Sequence, residues 1–287
     1  MRTLLAYPNV SEGRDADVVA AIADAFGPGL LDVHTDPDHH RSAYTLAGAP
    51  GELAEAVMGG AARAVQLVAL DGHDGVHPRV GALDVAPIVH LTAQDRGAAC
   101  AEALLLADRL GEELALPVFL YGELGGGRTR AELRRGGVEA ISERMRSGEL
   151  VPDFGPRILH PSAGAVLVAA RAPLVAFNLV LGPPADLDLA RAIAARIREG
   201  GPDGLPAVRA IGVGLGSRGL AQVSTNIDDA ERATPAQVLA AVGRHATVIE
   251  AELVGLAPEA ALADWPAELE LQNRATIENM LARRASA

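Results

Sequence analysis

The sequence has no lysine: all 25 of its basic residues are arginine. That absence excludes imine chemistry on a lysine, a lysine general base and the lysine-dependent phosphate loop of nucleotide-binding proteins. It also leaves any anionic ligand to arginine forks, backbone N–H groups or helix N-termini. Cysteine is nearly as scarce. Cys100 stands alone, which excludes an intramolecular disulfide and fits a cytoplasmic protein. Its Ala-rich helical surroundings suit a packed thiol rather than a nucleophile. No apolar run approaches the roughly 18 residues of a membrane span, and residues 1–8 lack the pattern of a secretory signal. A formal net charge of −12 argues against nucleic acid and anionic membranes as partners.

The remaining composition, 49% hydrophobic and 22% charged over 287 residues, provides for two domains or one large α/β unit. Residues 4–7 read as a strand and residues 8–13 as a loop. A helix follows from about Asp15, with Val18, Ile22 and Phe26 at helical spacing. Residues 30–33 form a second strand and residues 34–40 a polar loop. Ser42, Tyr44 and Leu46 alternate with smaller side chains in a third strand. A helix along Leu53, Val57, Ala61 and Val65 leads through a loop over residues 71–79 to a strand at 81–91. A long helix then runs from Thr92 toward Leu116, a strand covers 117–121 and a helix covers 130–146. The second half repeats the β-α-β-β-α-β order. Its strands are at 174–181, 208–215, 220–226 and 248–254, its helices open at Asp186 and at the Thr234-Pro235-Ala236-Gln237 capping box, and residues 268–285 are a final helix. The expected fold is therefore α/β (α+β): two ferredoxin-like βαββαβ subdomains, at 1–170 and 171–287, with a ligand cleft between their sheets.

Five loops carry chemistry-bearing residues. Asn9-Val10-Ser11-Glu12-Gly13 opens a helix, so its backbone N–H groups offer an anion site. The segment from His34 to Arg41 holds three histidines and two aspartates. Its adjacent His39 and His40 point opposite ways on an extended chain, so no metal is assigned. Arg41 is instead a bidentate carboxylate anchor. His77, fixed before Pro78 and two residues from Arg79, suits proton transfer beside an anion. Asp84, in an apolar strand, requires an arginine or backbone donors. Glu123 at a strand end suits a cationic substrate group, and the glycines that follow lack the phosphate-loop ending. Residues 155–164 are too long for a turn, and spacing alone reads them as a linker.

Seven ordered motifs resemble the glutamate formiminotransferase family. They are Pro8-Asn9-Val10-Ser11-Glu12-Gly13, His77-Pro78-Arg79-Val80-Gly81-Ala82-Leu83-Asp84-Val85, Val118-Phe119-Leu120-Tyr121-Gly122-Glu123, Pro152-Asp153-Phe154-Gly155-Pro156, Ala176-Phe177-Asn178-Leu179, Leu220-Ala221-Gln222-Val223-Ser224-Thr225-Asn226 and Glu252-Leu253-Val254-Gly255-Leu256. The likeness spans residues 4–260 and both formiminotransferase subdomains, and no segment resembles the cyclodeaminase domain fused to some relatives. The resemblance implies transfer of a formimino group from N-formimino-L-glutamate to N5 of tetrahydrofolate, the co-substrate, in histidine degradation. It implies His77 as the acid/base. It also implies a folate-binding role for Gly155, Pro156, Arg157, Ile158, Leu159, His160, Pro161, Ser162, Ala163 and Gly164, replacing the linker reading. Charge logic adds Arg41 and Arg79 for the substrate carboxylates and Glu123 for the amidinium, and Asn9, in the first motif, is a further substrate-binding candidate.

The sequence departs from relatives at His34, where vertebrate members carry an acid, and at His40, Arg157 and His160. Ala163 replaces a tryptophan, which removes stacking worth about 0.5–1.5 kcal/mol if that side chain met the pterin. A different formimino or formyl donor, water as acceptor, or a non-catalytic folate-binding protein are the alternatives left open, as is a homodimer.

Overall fold

The computed structural model describes residues 2–286; Met1 and Ala287, where the two sequence-defined domains begin and end, lie outside them. The chain divides into two units, Met1–Ala172 and Pro173–Ala287, each with its own sheet and core.

In the first unit the opening strand is split by Pro8 into β1 (Leu4–Ala6) and β2 (Asn9–Val10), so residues expected as loop extend the sheet. Helix α1 (Ala16–Phe26) is capped by the Asp15 carboxylate, which accepts from Asp17 and Val18 N–H at 3.0 and 3.1 Å. Strands β3 (Leu30–Asp36) and β4 (Arg41–Gly48) form a hairpin, helix α2 (Leu53–Leu67) returns the chain, and β5 (Leu83–His90) pairs antiparallel with β1 and β2. The spatial order β3–β4–β1/β2–β5 is the expected split βαβ arrangement. β3 continues through Asp36, so the polar loop expected from residue 34 shrinks to a turn over 37–40.

An extension then widens this sheet. Helix α3 (Arg96–Leu114) leads to β6 (Val118–Leu120), followed by α4 (Arg130–Arg134), α5 (Gly137–Arg146) and β7 (Val166–Arg171). The helix expected over 130–146 is broken because Gly136 and Gly137 both take left-handed backbone angles, φ 81° and 77°. Strand β7, for which the sequence pattern gives no strand signal, lies between β5 and β6 and is parallel to both. Val166, Val168 and Ala170 enter the core shared with α1, α2 and α3; Leu167 and Ala169 enter a second cluster with Phe119, Leu133 and Ile141. Burial on both faces gives β7 a continuous apolar run rather than the alternation that marks a half-exposed strand.

The second unit holds β8 (Val175–Leu181), α6 (Leu187–Ile197), β9 (Val208–Leu215), β10 (Leu220–Ile227), α7 (Pro235–Gly243) and β11 (Val248–Leu253) in strand order β11–β8–β10–β9. Asp186 caps α6, and Thr234 with Gln237 forms the expected capping box of α7. The terminal helix is shorter than expected. A short strand, β12 (Leu271–Gln272), first pairs parallel with β11, and helix α8 (Ile277–Ser286) follows.

Candidate functional site

Asp84 organises the site. Leu83 pairs with Val10 and Val85 with Asn9, leaving Asp84 as the extra residue of a bulge on β5. Its carboxylate is fully buried and accepts from Arg41 Nη1 at 2.5 Å, from Arg134 Nη2, and from Val80 N–H at 2.7 Å. Burial alone would raise its pKa, but Arg134 and Arg41 outweigh it and hold the carboxyl below its ordinary range. Arg41 also donates from Nε to Asn9 Oδ1 at 3.0 Å, and Asn9 Nδ2 donates to the Tyr7 carbonyl at 2.9 Å. Arg41 is thus anchored to a protein carboxylate and a protein amide. Arg134 went unnoticed in the sequence because nothing in α4 distinguishes it from its neighbouring arginines; only the fold delivers it to Asp84.

His77 stands against this cluster. Its ring centroid is 5.8 Å from that of His39, and its Nδ1 is covered and lacks a partner in hydrogen-bonding geometry among the described residues. Burial, then the charges of Arg41 and Arg134, then His39, push the imidazole well below its ordinary pKa, against a small opposing effect of the Pro78 backbone. The ring is therefore neutral at physiological pH, with its Nδ1 unpaired among the described residues.

Other expected site residues are placed differently. Arg79 donates to the Gly75 and His77 carbonyls at 2.9 and 3.3 Å and to the His73 carbonyl, tying together the loop that carries His77. Glu123 sits on an exposed turn and is paired in two hydrogen bonds with Arg96. Asn9, Arg41 and His77 are brought to one place; Glu123 is joined to them by no hydrogen bond or ion pair among the described residues.

Residues 155–164 lie within the first unit, joined directly to the His77 loop. Ala82 N–H donates to the Ala163 carbonyl at 2.9 Å, Ala165 N–H to Val80 at 3.0 Å and Leu70 N–H to Ser162 at 3.0 Å. Gly81 and Gly164 form the bridge. A Cβ on Gly81 would stand 1.8 Å from the Ala165 carbonyl oxygen, and one on Gly164, at φ 71°, 2.4 Å from that of Val80. Neither position admits a side chain. The far part of the loop is open, with Ile158 72% exposed and Arg157 exposed beside it. Ala163 points the other way, 1% exposed within the main core. A side chain there is directed into the core rather than toward the open surface.

The anion site expected from backbone N–H groups at residues 9–13 is filled from within. Glu12 Oε1 accepts from the N–H groups of Gly13, Arg14 and Asp15 at 2.8, 2.7 and 3.0 Å. The histidine-rich segments divide into two ring pairs, His39 with His77 and His40 stacked on His73 at 4.1 Å. His40 Nδ1 accepts from Gly13 N–H and His73 Nδ1 from Gly75 N–H, so both act as neutral acceptors. Burial is the main cause lowering the pKa of each. Among the described residues, no three His, Cys, Asp or Glu side chains converge where a metal ion would sit. No described helix is long and apolar enough to cross a membrane.

The N-terminal subdomain of the formiminotransferase domain matches residues 3–171, and the formiminotransferase domain matches residues 176–278. A glutamate formimidoyltransferase of Streptococcus pyogenes serotype M1 is 37% identical over 90% of this chain and 89% of its own length. One of Thermoplasma acidophilum is 34% identical over 90% of this chain and 88% of its own. The formimidoyltransferase-cyclodeaminase of Sus scrofa is 40% identical over 90% of this chain, which spans 50% of that longer protein. A crystal structure of pitrilysin covers 85% of the chain at 11% identity and a TM-score of 0.20, too slight a likeness to bear on the fold.

Proposed function

The chain belongs to the formiminotransferase family, and from that membership we propose that it transfers the formimino group of N-formimino-L-glutamate to N5 of tetrahydrofolate. The observation that carries this reading is the hydrogen-bonded junction of two loops. The segment proposed to bind folate is held by backbone pairing to the loop that presents His77. One piece of structure would thereby bring acceptor and proton carrier together.

In this reaction N5 attacks the amidine carbon and forms a new C–N bond. His77, neutral in its resting state, takes the proton that N5 releases. It returns that proton to the glutamate nitrogen as the original C–N bond breaks, which leaves His77 neutral for the next cycle. Arg41 and Arg134 do not exchange protons. Their charges keep the imidazole a base in the resting state, and through Asp84 they fix the bulge beside it. The open apolar and basic surface at Ile158 and Arg157 suits a folate, whose ring system is apolar and whose tail is anionic. Glu123 remains our candidate for the amidinium, taking substrate in exchange for Arg96. The lone free thiol, Cys100, fits a reducing compartment, and we place the protein in the cytoplasm.

Incubating the purified chain with tetrahydrofolate and formiminoglutamate, and following 5-formiminotetrahydrofolate by absorbance, tests the proposal. Turnover is expected. Folate binding without turnover would reduce the protein to a binder, and turnover with another formimino donor alone would reassign the substrate.

A further inference from the structure

Four arginines lie in one stretch of the first unit, and the buried acid among them serves only two. Asp84 satisfies Arg41 and Arg134. Arg130 and Arg171 have no carboxylate partner among the described residues. Arg130 rests over the face of Tyr121 at 5.8 Å, and Arg171 over that of Tyr7 at 5.4 Å. Arg171 donates from Nη1 to the Ala172 carbonyl at 2.8 Å, while its Nε is covered and has no partner. The Nε of Arg134, next along the cluster, is in the same condition. Arg130 is near enough to both Arg134 and Arg171 for its charge to oppose theirs.

An aromatic face supports a guanidinium but does not neutralise it, and gathering such charges with unmet donors is costly unless an anion completes them. Tyr7 is also the residue whose carbonyl orients Asn9, so this group adjoins the His77 site without being part of it. We propose that Arg130 and Arg171, framed by Tyr7 and Tyr121, form a carboxylate-binding site whose ligand is a carboxylate of the formimino donor. This assignment rests on the reaction proposed above. Planar forks match carboxylate geometry, and the two arginines first expected to hold substrate are committed to Asp84 and to loop carbonyls.

The test uses the full chain, with Arg130→Gln, Arg171→Gln and Arg171→Lys compared with wild type after thermal melts confirm folding. Steady-state kinetics with formiminoglutamate and with mono- and polyglutamyl tetrahydrofolates should show the donor KM raised about 10- to 100-fold in Arg130→Gln and Arg171→Gln. The KM for folate should be unchanged. Arg171→Lys, which keeps the charge but not the fork, should fall between Arg171→Gln and wild type. It also covers the case in which Arg171→Gln does not fold. An unchanged donor KM would overturn the site, and a rise confined to polyglutamyl folates would give it to the folate tail instead. Calorimetric titration with L-glutamate separates this inference from the reaction. Glutamate binding lost in Arg130→Gln, in a protein that does not turn over formiminoglutamate, would retain the site and discard the reaction. Turnover with wild-type donor KM in every variant would do the reverse.

Discussion

His77 and Asp84 pull against the ordinary behaviour of their side chains in opposite ways. The histidine is kept neutral by burial and by two arginines, whereas the aspartate is kept ionised by those same arginines despite total burial. Replacing His77 with alanine should lower kcat by about 10²–10⁴, the usual worth of a positioned proton carrier, while the melting temperature stays close to wild type. A variant that turns over at the wild-type rate would exclude the shuttle. Asp84→Asn removes the carboxylate that Arg41 and Arg134 share. It should cost on the order of 3–5 kcal/mol of stability, read from urea denaturation, because two cations are left unpaired in a covered site.

At the scale of elements, the Gly81–Gly164 bridge is the joint on which the site depends. Gly81→Ala should lose on the order of 1–3 kcal/mol in a melt and raise the KM for folate, since the new methyl group would meet a backbone oxygen that has little room to move. Most elements here were legible in the sequence, and for identifiable reasons. Asp15, Asp186 and Thr234 mark helix starts because their side chains satisfy otherwise orphaned N–H groups. The apolar alternation around Tyr44 marks a strand with one face on the core. β7 was missed because its two covered faces erase that alternation, and the break at Gly136-Gly137 because helical spacing persists on either side of it. Of the site, His77, Arg41 and Asn9 could be found from motif context. Arg134 could not, since its role comes from tertiary approach to a bulge. The anion site expected at residues 9–13 failed because Glu12, itself within the motif, occupies it.

For the whole molecule, the clearest expectation concerns acid. His39, His40, His73 and His77 all have pKa values below the ordinary imidazole value, with burial the leading cause in each. The unfolded chain therefore binds protons that the folded chain refuses. Stability from these groups is complete above about pH 6.5 and declines as pH falls below that toward their folded values. Urea midpoints measured from pH 8 to pH 5 should fall steadily below about pH 6.5, and His40→Gln with His73→Gln should flatten that slope. A flat profile in wild type would contradict the neutral tautomers described for these rings.

The position of β7 between β5 and β6 also has a consequence for how the molecule comes into being. Parallel strands pair only after a long connection has closed, and contacts of such wide sequence separation form late. The residues flanking His77 are held by partners just ahead of β7. A chain emerging from the ribosome therefore carries every residue of the His77 loop before the partners that hold that loop have been made. Those backbone partners exist only once residues 162–171 have been synthesised and paired in the sheet.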